Sequence, residues 1–437
     1  MPGMSRPSSL ILLLTLVALA GCAKTATTTP VPATETLPPT ATTVPTLTTV
    51  PPEKAQRPLL MAHYMPWYQT PDVSGYWGWH WTMNHFDPAQ MDESGRPQAA
   101  SHYMPLTGLY DSADGAVLEY QVLLMKLSGI DGVIVDWYGI EDFWDYGVLN
   151  KATGKLFEYV KQAGLQFAIC YEDQTIKHMV DNKHLAMADV YTHGQDVMRY
   201  MQETWFGDDA YLKTAGRPVL LTFGPQYYTN ATDWAKLFAV LDVQPAFITL
   251  NKSLSTVALT GYPWPPMEAS RDGVLTQTAL EDYLNKFYAK VSADPYRVGG
   301  AFPQFHDIYK EAGVSAGYGY LDARDGETFR FTLDLALSHN PDVIQLITWN
   351  DYGEGTIIEP TEEFGYRYLE MVQAARLTLA EGDFTFTAED LRLPLQLFNL
   401  RREHAGEAAV NARLDEASAA IIAGDVQRAA AIIAGIQ

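Results

Sequence analysis

Residues 342–360 read "DVIQLITWNDYGEGTIIEP". The stretch opens as an apolar run too short for a helix and rich in β-branched residues, which predicts a buried strand. It closes on Trp349, Asn350, Asp351, Tyr352 and Glu354, set between residues and glycines that permit a tight turn. A buried strand that ends in two carboxylates, three positions apart, either caps a turn or presents acids for chemistry.

The same grammar recurs upstream. Apolar runs occur at 58–68 ("PLLMAHYMPWY"), 132–139 ("GVIVDWYG"), 165–174 ("LQFAICYEDQ"), 217–226, 245–251, 299–307 and 342–351. Between them lie helical patterns such as "AVLEYQVLLMKLSGI" (116–130) and "GKLFEYVKQAGL" (154–165). Near-continuous apolar strands alternating with helices predict a parallel sheet covered on both sides. Over residues 58–380 this favours a (β/α)8 barrel of TIM type, α/β in class, over an open doubly wound sheet. An eighth strand is expected within "STVALTGY" (255–262), the weakest of the set. Neither GxGxxG after the first strand nor GxxxxGK[ST] occurs, so nucleotide binding has no support.

In such a barrel the C-terminal ends of the strands carry function. Here those ends hold His63, Tyr64, Trp67, Tyr68, Asp136, Trp137, Tyr138, Glu172, Asp173, Gln304 and His306, besides Trp349, Asn350, Asp351, Tyr352 and Glu354. Paired carboxylates across a cleft suit glycosidic hydrolysis, one protonated as general acid and one ionised. Loop aromatics support a sugar ligand, because sugar rings present apolar C–H faces to them. Residues 63–86 alone contain four Trp, and "DFWDYG" (142–147) and "GYPWPP" (261–266) add more. Packing among the loops themselves is the competing use of these rings.

Other chemistries find little footing. His80 and His85 form the one close histidine pair, and their spacing does not put both on one face, so no metal is expected. No GxSxG elbow appears and no lysine ends a strand, and no cofactor is expected. The formal net charge of −22 argues against nucleic-acid binding. Cys170, within an apolar run, reads as a buried structural thiol.

The first 21 residues have one early Arg and an apolar stretch from Leu10 to Ala20, the pattern of a signal peptide. "LAGC" ending at Cys22 resembles a bacterial lipobox, which implies lipidation of that cysteine and attachment to the cell envelope on its extracytoplasmic face. A plain secretory peptide is the alternative. Residues 22–57 are rich in Thr and Pro, the composition of a disordered tether. Residues 381–437 end in "LDEASAAIIAGDVQRAAAIIAGI" (414–436), expected to form a helical hairpin broken at "GD".

"HYMPWY", "GIDGVIVDWYG", "YEDQT" and "TWNDYGEGTIIEP" together resemble glycoside hydrolase families 71 and 99 and their bacterial relatives. The resemblance spans residues 58–380 and implies a barrel enzyme, endo-acting and monomeric, on an α-linked polysaccharide: α-mannan for family 99, α-1,3-glucan for family 71. It implies Glu354 as general acid and Asp351 as general base, with the other strand-end residues lining subsites. "WNDYGE" is similar to family 71 and "GTIIEP" to family 99. Asp351 stands where the family 99 pattern "WNEWxEGT" has Glu. A non-catalytic, lipid-anchored carbohydrate-binding protein on the same barrel is the alternative.

Overall fold

The computed structural model describes residues 57–270, 273–379 and 384–436. The leader, Cys22 and the Thr/Pro segment as far as residue 56 lie outside the described residues. Among the described residues nine strands form: β1 (Leu59–Tyr64), β2 (Gly132–Trp137), β3 (Gln166–Tyr171), β4 (Lys213–Thr214), β5 (Arg217–Thr222), β6 (Ala246–Leu250), β7 (Thr260–Tyr262), β8 (Val298–Ala301) and β9 (Val343–Leu346). The short β4 pairs antiparallel with β5. The other eight run parallel in the order β7-β6-β5-β3-β2-β1-β9-β8. The end strands β7 and β8 touch without ladder hydrogen bonds, which leaves a nearly closed barrel ringed by helices. The predicted (β/α)8 architecture is therefore present.

Every residue of β2 and β9 is buried, as strands packed on both faces require. The doubtful eighth strand is β7, only three residues long. Residues 251, 252 and 254 adopt positive φ, so the chain turns before the strand begins. This turn presses against Gly261, where a Cβ would stand 2.1 Å from the Lys252 nitrogen. No other residue fits there, which is why the strand is short and its pattern weak.

The helices begin where the side chains allow. Asp114 caps Gly115–Ser128 by accepting from Ala116 N, and Gly129 ends it at φ +79°. Thr276 caps Gln277–Val291 in the same way, through Ala279 N. Beyond helix Arg367–Leu379 come helices Leu393–Glu403, Ala408–Ile422 and Val426–Ala434. The last two form the expected hairpin. The first of the three goes beyond that expectation and packs on helix Gly115–Ser128, where Arg401 grips both oxygens of Glu119 at 2.6 and 2.8 Å.

At the N-terminal end of the barrel, Asp131 accepts from Leu60 N at 2.8 Å and from Arg57 at 3.0 Å through each oxygen. Buried Arg376 bonds the same carboxylate and the Gly129 carbonyl. These charges lie before β1 and β2, away from the strand ends where the acids gather.

Candidate active site

β9 stops at Leu346, yet the chain keeps its course until Trp349 N donates to the His63 carbonyl at 2.6 Å. It then turns back on itself: Thr348 N reaches Thr356 O at 2.5 Å, and Ile358 N returns to Thr348 O at 3.0 Å. Within this closed loop Asp351 Oδ1 accepts from Glu354 N at 3.0 Å, and Gly355 N donates to Asp351 O at 2.8 Å. Asp351 thus caps its own turn, as the simpler sequence reading allows. Its Oδ2 accepts no hydrogen bond from the described residues, so one oxygen remains for other work.

Four carboxyls converge on this end of the barrel. Period-two alternation separates Asp136 from Trp137 at the end of β2. Trp137 joins the helix layer, its Nε1 donating to Asn150 at 3.0 Å, while Asp136 interacts with Glu172, Asp351 and Glu354. Burial, then the charge on Glu172, holds Asp136 well above the usual carboxylate range. Burial, then the charge on Asp173, pushes Glu172 up to about 7. Burial likewise brings Asp351 to about 7 against the pull of the backbone N–H groups of Glu354 and Gly353. Glu354 is held well above the usual carboxylate range, first by burial and then by Asp351; a hydrogen bond from Tyr309 at 3.1 Å opposes this. Crowded, desolvated acids keep protons at neutral pH that isolated ones would lose.

Several residues read from sequence as substrate-lining are buried and hydrogen-bonded within the protein. Asn350 clasps the Met65 backbone, accepting from its N–H at 2.8 Å and donating to its carbonyl at 2.9 Å, and reaches Tyr110 Oη at 3.0 Å. Tyr68 Oη donates to Asn350 O at 2.8 Å and accepts from Tyr352 N at 3.1 Å. Tyr64 donates to Gln121, and Trp349 is wholly buried. His63 is also buried, with Nδ1 on Gln345 and Nε2 unpartnered; desolvation lowers it to about 3, so it is neutral. Asp173 accepts the N–H groups of Gln226, Tyr227 and Tyr228 at 2.7–2.8 Å and so fastens the loop after β5. Gln304 donates to Gly355 O at 2.8 Å, and His306, stacked on His102 at 3.8 Å, donates its N–H to Glu354 O. Of these, Asn350, Tyr68, Gln304 and His306 hold the acid-bearing loop in place.

At the same end of the barrel, buried Trp67 stacks on His80 at 4.1 Å, and Tyr138 is half-buried. Among the aromatics singled out by composition, Trp81 packs on Tyr68 at 4.0 Å within a loop core, whereas Trp79 and Trp144 are exposed. Two contributors escaped the sequence reading. Tyr309 lies eight residues beyond the end of β8. Glu359, inside the quoted stretch, is buried beneath Tyr352 and accepts from Gln121 (2.7 Å), Tyr352 (2.8 Å) and Tyr110 (2.9 Å). Among the described residues no cluster of three or more His, Cys, Asp or Glu could hold a metal ion.

A (β/α)8 barrel with clustered, proton-retaining carboxyls at its C-terminal face defines an acid–base site of the kind such barrels use for catalysis. Comparison with known proteins narrows the class. The chain is 25% identical over 337 residues to a glycoprotein endo-α-1,2-mannosidase-like protein of Danio rerio, covering 68% of this chain and 69% of the relative. A human protein of the same description is 24% identical over 331 residues, covering 69% and 68%. The GH99 endo-α-mannosidase structure from Bacteroides thetaiotaomicron shares the fold with a TM-score of 0.55 at 18% identity, over 74% of this chain and 98% of that one. No protein-family model matches. The chain is thus similar, at about a quarter identity, to glycoprotein endo-α-1,2-mannosidase-like proteins, and it shares its fold with a GH99 endo-α-mannosidase.

Proposed function

We propose that this protein hydrolyses α-mannosidic linkages within a glycan. Glu354, protonated at neutral pH, gives its proton to the leaving-group oxygen, and Asp351 takes the proton of the attacking hydroxyl. The carrying observation is the divergence of environment within one loop: Glu354 retains its proton strongly, while Asp351 sits near 7 and is partly ionised. Asp136 and Glu172, both raised by burial and by neighbouring acids, offer hydroxyl-binding groups beside the pair. The names of the relatives favour α-mannoside over α-glucan. Attachment of the protein to the outer face of the envelope through lipidated Cys22 is part of this proposal, and it rests on the leader and the "LAGC" motif.

A panel of α-mannans and α-glucans assayed for new reducing ends tests the reading. Glu354→Gln should keep the fold and glycan binding while turnover falls to background. Release of reducing ends by that variant at the parent rate would overturn the assignment, and binding without release by the parent protein would mark a carbohydrate-binding protein instead.

A further inference from the structure

The loop after β8 is fastened to the acid-bearing loop residue by residue. Gln304 Nε2 donates to Gly355 O at 2.8 Å, His306 N to Glu354 O at 2.8 Å, and Ile308 N to Gly353 O at 3.0 Å. The approach is close enough that Gly355, at φ +67°, has no room for a side chain: a Cβ would stand 2.8 Å from His306 O. Asp307 then folds the loop, accepting from Tyr309 N at 3.0 Å and from Tyr318 N at 2.8 Å. The result places Tyr309 Oη 3.1 Å from Glu354 Oε1, with the loop packed on the apolar cluster of Met83, Ala100, Ile308 and Ala312.

We propose that Tyr309 is a positioning residue for the general acid, orienting its carboxyl and stabilising the carboxylate that remains once the proton has left. The inference rests on the glycosidase reading of the site. In the step concerned, the Glu354 O–H bond breaks and its proton passes to the glycosidic oxygen. The C–O bond to the leaving sugar breaks, with its electron pair going to that oxygen. The nucleophile bonds to the sugar carbon and releases its proton to Asp351. Glu354 then becomes an anion near other acids, Asp351, Asp307 and Glu172 among them, which raise it. The phenols of Tyr309 and Tyr318 also lie close enough to feel its charge. A phenol O–H binds a carboxylate more strongly than it binds the neutral acid, so its contribution grows as the proton departs.

Tyr309→Phe removes that donor and keeps the ring in its packing. Loss of a hydrogen bond to a charged group predicts a fall in kcat of roughly 10- to 100-fold, with KM little changed. The basic limb of the pH–rate profile should move to higher pH, because the neutral form of Glu354 gains ground. Isotope-edited infrared titration of the Glu carboxyls reads the same quantity without substrate, the Glu354 band being the one missing in Glu354→Gln. A band that titrates at higher pH in Tyr309→Phe, with an unchanged unfolding transition, supports the proposal. A band and a basic limb that do not move overturn it, whether or not Glu354→Gln has lost activity. Absence of any glycosidase activity in the parent protein would instead sink the functional reading, and the infrared titration would still decide the role of Tyr309 toward Glu354.

Discussion

Glu359 should make this protein less stable as the solution becomes neutral, and Glu359→Gln should relieve the loss. The carboxyl is buried, and desolvation raises it from 4.5 to about 7 although Gln121, Tyr352 and Tyr110 all donate to it. The folded state therefore binds the proton more tightly than the unfolded state. Below the unfolded value both states are protonated, and the folded network keeps its full stability. As pH rises from 4.5 to about 7 the unfolded chain ionises freely while the folded chain resists, so stability falls across that window and levels off above it. Two to three decades of proton affinity, at ~1.4 kcal/mol per decade, set the loss at about 3 kcal/mol. Glu359→Gln has the same shape and cannot ionise. Urea denaturation of both proteins between pH 4 and 8.5 gives the difference in stability at each pH. The parent should lose about 3 kcal/mol relative to the variant across the window. A difference that is flat with pH would refute the reasoning, since Asp351 and Glu172 titrate in both proteins and cancel.

Two further outcomes follow from the site. Turnover needs Asp351 ionised and Glu354 protonated, so kcat/KM should rise with pH to an apparent value near 7 and fall again at higher pH as Glu354 loses its proton; an acidic optimum would contradict it. Asn350→Ala strands the Met65 N–H and carbonyl in the interior, at about 1–3 kcal/mol for each unpaired group. Chemical denaturation should show that loss, and kcat should fall more than KM, because Asp351 follows directly in the chain.

Much of the barrel was legible because a strand buried on both faces must be apolar throughout and must end where the apolar run ends. β2 and β9 illustrate this: "GVIVDW" and "VIQL" leave no other reading. β7 was hard to see because Gly261 and the turn at 251–254 shorten it, a consequence of close packing that composition does not display. Helix Leu393–Glu403 was missed for a related reason. Its stability comes from packing on Gly115–Ser128 and from Arg401 on Glu119, nearly three hundred residues away.

The site divides along the same line. Sequence by itself determined which chemical groups arrive at the mouth, since strand direction carries every strand-end residue to one face. It placed Asp351 and Glu354 in a loop there, and Asp136 and Glu172 across from them. Only the tertiary structure decided which of these groups are taken up in holding neighbouring segments together. Asn350, Tyr68, Tyr352 and Gln304 satisfy backbone and side-chain groups from distant segments, and Tyr309 reaches Glu354 from a loop with no strand-end signature. Period and polarity along a chain report burial, whereas the partner of a buried polar group is chosen by contacts between segments remote in sequence.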